Sequence, residues 1–114
     1  MSMSVTVSGT PDGSAVVSVR GEIDHGNAAA LREKILAVVA QRRPSVLLVD
    51  LGLVTFLDSA AVGALVGAQR AAEVEGVRLV VQRASPFVDR QLRIVGVQQL
   101  LGAPADTDAD FLSQ

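Results

Sequence analysis

Two short segments near the start of the chain alternate between apolar and polar side chains. They lie at residues 4–8 and 15–20, and the segment GTPDGS separates them. Strict alternation is typical of strands with one buried face. Pro-Asp-Gly favours a tight turn, because proline presets one dihedral angle and glycine accepts a positive one. The pattern therefore predicts an antiparallel hairpin.

The apolar spacing then changes to that of an α-helix over the segment DHGNAAALREKILAVVAQRRP. Apolar side chains recur on one helical face at Ala28, Leu31, Ile35 and Val38. Asn27 is in place to cap the first turn, and Pro44 stops any helix that reaches it. We predict a first helix between these two residues.

A continuous apolar run at residues 45–51, SVLLVDL, predicts a strand that is covered on both faces. We interpret residues 52–58, GLVTFLD, as a loop that leads into a second helix. This helix is expected from Ser59 to about Glu75 and to end at Gly76.

The remaining pattern predicts another buried strand at residues 77–82 and a third helix. Ser85 is the expected cap of this helix, Pro86 its first residue, and Gly96 its end. The segment VQQLLG follows and fits a last short strand.

The order of these elements indicates a single α/β domain over residues 1–114. Strands that alternate with helices form a mostly parallel sheet with right-handed crossovers, and the hairpin adds an antiparallel edge. We therefore expect a mixed, mostly parallel sheet of four or five strands with three to five helices. The tail at 103–114 fits either a short helix or a frayed end.

The composition argues against several classes of partner. The net charge is −2 at pH 7 and the longest basic run is Arg42-Arg43. Because nucleic-acid binding requires a basic surface, we expect neither nucleic acid nor a membrane as partner. The longest apolar stretch, 46–57, contains Asp50 and is too short to span a bilayer. The N-terminus has no signal-peptide pattern, so we expect a cytoplasmic protein.

Side chains suited to catalysis or metal binding are few. Ser59, His25 and an aspartate are the residue types of a hydrolase catalytic triad. The strand-to-helix nucleophile turn, however, needs glycines where Leu57 and Ala61 stand. The chain has one histidine and no cysteine, too few for a transition-metal site. We expect no enzyme activity, no metal and no cofactor.

Glycine-rich nucleotide-binding patterns are also missing. Gly63 and Gly67 match Gly-x-x-x-Gly, a spacing that lets a neighbouring helix or strand approach closely. We interpret this pair as a packing feature.

The pair Asp58-Ser59 admits two interpretations. An aspartate before a helix is a good N-cap, because its carboxylate accepts hydrogen bonds from the free N–H groups of the first turn. Capping explains Asp58, but it explains neither Ser59 nor the apolar segment LVTFL before it. An apolar rim around a hydroxyl would instead form a docking surface. The residue pattern alone leaves both interpretations open.

GEIDHGNAAALREKI followed by VLLVDLGLVTFLDSAAVGAL resembles the STAS domain of bacterial anti-sigma factor antagonists. The resemblance covers the chain from Val5 to about Leu101. It implies that Ser59 is the phosphoacceptor of an anti-sigma factor kinase, with Asp58 before it and Asp24 beside the same site.

The resemblance also implies a switch between partners in a stress response. The unphosphorylated protein would bind the anti-sigma factor, a serine kinase of the histidine-kinase-like ATPase type, and so release a sigma factor. A phosphatase would restore the modified protein. The resemblance leaves open whether the protein forms a homodimer.

The predicted partner-binding residues surround this serine: Asp24, His25, Asn27, Phe56, Leu57, Asp58, Ser59, Ala60 and Val62. Two positions depart from the family pattern, since Ala60 replaces a second Ser or Thr and Ala61 replaces glycine. We expect the Ala61 methyl group to lie where a partner approaches. This departure mildly favours an alternative role, a non-phosphorylated accessory STAS subunit of a lipid-transport or stressosome-like assembly.

Overall fold

The structure, a computed structural model, describes residues 2–95 and residue 100. Its described elements follow the predicted order: β1 (Met3–Gly9), β2 (Ala15–Ile23), α1 (Ala28–Arg42), β3 (Val46–Leu57), α2 (Ser59–Val74), β4 (Arg78–Gln82) and α3 (Pro86–Val95). The strands form one sheet in the order β1-β2-β3-β4. The first pair is antiparallel and the other two are parallel, as the sequence predicts.

The hairpin forms where alternation and turn residues predict it. β1 and β2 pair in regular register from Met3 opposite Gly21 to Gly9 opposite Ala15. The turn between them contains Gly13 at φ 89°, a left-handed conformation that glycine adopts without strain.

The helices α1 and α2 pack against each other over the core face of the sheet. Right-handed crossovers between strands that progress in one direction place both helices on the same face. The core-facing side chains of the strands are at most 3% exposed and include Val17, Val19, Leu47, Val49, Leu79 and Val81.

β3 corrects the predicted loop at residues 52–58. The strand continues to Leu57, and its second half pairs with the end of β2, where Gly21 lies opposite Val54 and Ile23 opposite Leu57. Irregular register in β2 accompanies this extension. Leu57 is therefore buried in the core, whereas Leu53 is 59% exposed.

The start and end of α2 and the start of α3 agree with the sequence prediction, and the predicted end of α3 at Gly96 lies outside the described residues. α2 begins at Ser59 and is followed by Gly76 at φ 79°. Ser85 Oγ accepts the Val88 N–H at 3.3 Å and so caps α3. The predicted strand VQQLLG lies outside the described residues except for Leu100, which is buried, and the tail at 103–114 lies outside them entirely.

The predicted close approach at the paired glycines occurs at one of them. A Cβ atom added at Gly63 would have open space around it, so no neighbouring element of the described chain approaches closely there. A Cβ atom added at Gly67 would lie 3.2 Å from Nε of Arg32 on α1. Among the described residues, no helix combines the length and the apolar character that crossing a bilayer requires.

Candidate docking site around Ser59

The residues predicted for the site lie at one end of the sheet, where the parallel strands β2 and β3 finish side by side. The loop 24–27 follows β2, and Asp58 with Ser59 follows β3. The Asp58 N–H donates a hydrogen bond to the Ile23 carbonyl at 3.2 Å, which holds the two strand ends together. Residues more than thirty positions apart in the chain therefore meet at a single surface.

Both carboxylate oxygens of Asp58 accept hydrogen bonds, and these connect the two segments that form this surface. One oxygen accepts the Ala61 N–H at 3.0 Å and caps α2, as the sequence predicts. The other accepts the His25 N–H at 3.0 Å and so reaches the loop after β2. The hydrogen bond from Ala61, with that from His25, holds the pKa of the Asp58 carboxyl below its ordinary value. The carboxylate is thus ionised at neutral pH.

Asn27 fixes the loop after β2, but in a different way from the one predicted. It occupies the N-cap position of α1, yet its side chain makes no cap hydrogen bond there. Its Oδ1 instead accepts the Asp24 N–H at 2.9 Å, and its Nδ2 donates to the Glu22 carbonyl at 2.9 Å. Asp24 closes the turn by accepting the Gly26 N–H at 2.8 Å. The side chains of Asp24 and Asn27 therefore set the shape of the loop.

The side chain of His25 is 88% exposed. Its Nδ1 lies 3.8 Å from Asp58 Oδ2, a distance at which a protonated imidazole forms a weak ion pair. The histidine therefore adds an ionisable group beside the start of α2.

The predicted site residues at the end of β3 and the start of α2 form two groups that differ in burial. Ser59 and Ala60 are exposed, and Phe56 is half-buried. Val62 is 5% exposed and Leu57 1%, so both support the surface from beneath.

Ala61 corrects an expectation drawn from the sequence. Its side chain is 0% exposed, so its methyl group packs into the core and does not project toward a partner. The departure from the family pattern that changes the surface is Ala60, where a second hydroxyl is absent. The sequence carries a signal for this: Ala61 precedes Leu65, which is also 0% exposed, by four positions and so lies on the same helical face.

An apolar side chain that the sequence reasoning missed lies at the start of α3. Phe87 is 46% exposed, and α3 begins beside β3 because Ser85 Oγ donates to the Val54 carbonyl at 3.4 Å. Together with Leu53, it adds exposed apolar area next to the second half of β3. A large apolar residue directly after a capped Ser-Pro start is the signal that could have identified it.

Comparison with known proteins supports the same fold. The family model described as "Mlab, STAS domain" matches residues 7–102. The crystal structure of an anti-sigma factor antagonist from Mycobacterium paratuberculosis is similar, with 34% identity, a TM-score of 0.71, and coverage of 88% of this chain and 83% of that one.

Two structures of SpoIIAA share the fold at lower identity. The anti-sigma factor antagonist SpoIIAA in its unphosphorylated form has 22% identity, a TM-score of 0.73 and coverage of 96% of each chain. The Bacillus cell fate determinant SpoIIAA in the phosphorylated form has 20% identity and a TM-score of 0.66, with coverage of 97% of this chain and 100% of that one.

Proposed function

The chain belongs to the STAS domain family, and we propose that it acts as an anti-sigma factor antagonist switched by phosphorylation of Ser59. With Ser59 unmodified, it binds an anti-sigma factor and releases a sigma factor. The partner is a serine kinase of the histidine-kinase-like ATPase type, whose phosphorylation of Ser59 ends the complex. A phosphatase restores the binding form.

The observation that carries this proposal is the exposed hydroxyl of Ser59 on a surface that is already fixed. Both oxygens of the neighbouring Asp58 are bound to backbone N–H groups, one in α2 and one in the loop after β2. A partner that docks here meets loops that do not need ordering on binding, which lowers the entropic cost of association.

Phosphorylation is compatible with the fold at this position. A phosphate on Ser59 adds about −1.5 to −2 charges and three acceptor oxygens. The N-terminus of α2 tolerates them, because free N–H groups and the helix dipole favour negative charge there. We therefore expect the modified chain to keep its structure.

The same phosphate opposes docking. Asp58, whose carboxylate is ionised, directly precedes Ser59 in the chain, and Asp24 lies in the loop to which Asp58 is hydrogen-bonded. The charge of the phosphate is therefore added to a surface that is already acidic. A contact surface that includes the half-buried Phe56 must lose water on binding, and a dianion at its centre makes that loss costly. Binding is then lost through repulsion and desolvation, without a change of fold.

The contact surface consists of the exposed and half-buried members of the predicted set. Each of these offers at least part of its side chain to solvent: Asp24, His25, Asn27, Phe56, Asp58, Ser59 and Ala60. Leu57 and Val62 act from beneath by keeping the end of β3 and the first turn of α2 in place.

The test compares capture of partners by four forms of the chain from lysate of the native bacterium, with identification by mass spectrometry. Wild type and Ser59→Ala are expected to capture an anti-sigma factor with a histidine-kinase-like ATPase domain. Ser59→Asp is expected not to. Ser59→Asn is the matched control, because it has the size of aspartate without its charge, and it is expected to retain capture.

Phosphopeptide analysis of the native protein completes the test. Phosphorylation at Ser59 that phosphatase removes, with restored capture, would support the switch. Equal capture by Ser59→Asp and Ser59→Asn would contradict it. Permanent attachment to a larger assembly, with Ser59 always unmodified, would favour the accessory-subunit role.

A further inference from the structure

Within the described part of the chain, one edge of the strand β1 has no strand paired to it. β2 is its only partner among the described residues. The Glu22 N–H donates to the Ser2 carbonyl at 3.0 Å, which places even-numbered residues in the hydrogen-bonded positions of the β1–β2 ladder. Because these positions alternate along an antiparallel strand, Met3, Val5 and Val7 direct their N–H and C=O groups away from β2. Their backbone groups are available to another strand.

This edge lacks the usual protection against strand pairing. Proteins commonly place charged residues, proline or bulges at sheet edges to prevent association. β1 reads MSVTVSG, with no charged residue and no proline, and its register with β2 is regular over its whole length. The opposite edge differs: β4 has five residues, begins at the charged Arg78, and is followed by Arg83 in a left-handed conformation at φ 60°.

The pattern of β1 is also complementary to itself. About Val5, the polar residue Ser4 mirrors Thr6, and the apolar residue Met3 mirrors Val7. We propose that β1 of two copies pairs in antiparallel orientation across a two-fold axis at Val5, joining two four-stranded sheets into one. In this register, apolar side chains meet apolar ones on one face of the joined sheet and hydroxyl side chains meet hydroxyl side chains on the other.

The dimer leaves both candidate docking sites accessible. Met3 lies opposite Gly21, so the first residues of β1 are at the same end of the sheet as the docking site around Ser59. A two-fold axis through the middle of β1 places the two docking sites at opposite ends of the joined sheet. Each copy can therefore bind its own partner, and the dimer does not depend on the proposed switch.

Sedimentation velocity over a hundredfold range of protein concentration tests the proposal. A single strand pair is a small interface, so we expect a reversible dimer that forms as concentration rises. Val5→Pro removes an outward N–H group without removing a β1–β2 hydrogen bond and is expected to abolish the dimer. Val5→Ala keeps that N–H group and is the matched control; it is expected to dimerise. Circular dichroism verifies that both variants are folded.

Disulfide formation gives a second test that does not depend on tolerance of proline. The chain contains no cysteine, so each single-cysteine variant reports one position. Directly opposed residues in an antiparallel hydrogen-bonded pair have Cα atoms about 5.5 Å apart, within the range for a disulfide. Val5→Cys is expected to form a covalent dimer on mild oxidation faster than Ala40→Cys, an exposed control on α1.

Several results would overturn the proposal. These are a monomer at every concentration, dimerisation of folded Val5→Pro equal to that of Val5→Ala, or disulfide formation at Val5→Cys no faster than at Ala40→Cys. Faster disulfide formation at Thr6→Cys than at Val5→Cys would place the axis one residue away and contradict the register proposed here.

Discussion

Replacing Ala61 by glycine restores the residue that the family pattern has at this position, and it separates a role in the core from a role at the surface. The Ala61 side chain is 0% exposed. Its N–H group donates to Asp58 at 3.0 Å, and glycine keeps that group. The substitution therefore removes a buried methyl group and leaves the helix cap in place.

The expected loss of stability has two parts. Removal of one buried carbon costs about 0.8 kcal/mol. Glycine in a helix costs about 0.5–1 kcal/mol relative to alanine. The free energy of unfolding should therefore fall by about 1–2 kcal/mol, which for a domain of this size lowers Tm by roughly 4–8 °C.

Ala60→Gly is the matched control, because Ala60 is the preceding residue of the same helix and is exposed. It should lose the backbone contribution of about 0.5–1 kcal/mol but not the burial contribution. Urea titration of both variants and of wild type measures the difference, and capture of the partner is measured in parallel. Ala61→Gly is expected to capture the partner as wild type does.

Two outcomes would refute this reasoning. Equal destabilisation by the two substitutions would mean that the Ala61 methyl group contributes nothing to the core. A change in partner capture by folded Ala61→Gly that exceeds the change caused by Ala60→Gly would mean that the methyl group acts at the docking surface, as the sequence alone suggests.

Three further substitutions test other features of the structure. Gly21→Ala places a Cβ atom at φ 102° against the Ser2 carbonyl. The free energy of unfolding, measured by urea titration, should fall by about 1–2 kcal/mol or more. Stability equal to that of wild type would contradict the close approach of these two residues. The lowered pKa of Asp58 means that its stabilising effect is present above the ordinary value of 3.8 and is lost as pH falls through the lower folded value. Asp58→Asn should therefore flatten the dependence of the unfolding free energy on acidic pH, and an unchanged slope would contradict this. Asn27→Ala removes one side-chain hydrogen bond to Glu22 in β2 and one to Asp24 in the following loop. It should cost about 1–3 kcal/mol and weaken partner capture, whereas retained stability on thermal unfolding would show that the loop holds its shape without them.

Much of the fold could be predicted because its signals are local. Alternation and Pro-Asp-Gly identify the hairpin, and Ser85 with Pro86 identifies the start of α3. Gly76 identifies the end of α2. Each of these signals acts within a few residues and needs no knowledge of distant neighbours.

The extension of β3 could not be predicted because it depends on pairing between distant segments. Residues 52–57 contain a glycine and an irregular apolar pattern, and they form a strand because the end of β2 lies beside them with shifted register. The burial of Ala61 depends on which face of α2 meets the sheet; the spacing to Leu65 indicates that face, whereas the family pattern does not.

The candidate site was only partly accessible from sequence for the same reason. The capping role of Asp58 follows from its place before a helix, whereas its hydrogen bond to His25 joins residues 33 positions apart. Asn27 has the residue type of an N-cap, but the carbonyl of Glu22 and the N–H of Asp24 are closer partners for its side chain.

The attachment of Asp58 to main-chain groups has a consequence for how the exposed surface tolerates substitution. Because the loops are held through N–H groups that every residue except proline possesses, the exposed side chains of His25 and Ala60 can be exchanged without loosening the scaffold. Under the proposed function, substitutions at a few exposed positions can therefore change which partner is recognised while the scaffold stays the same.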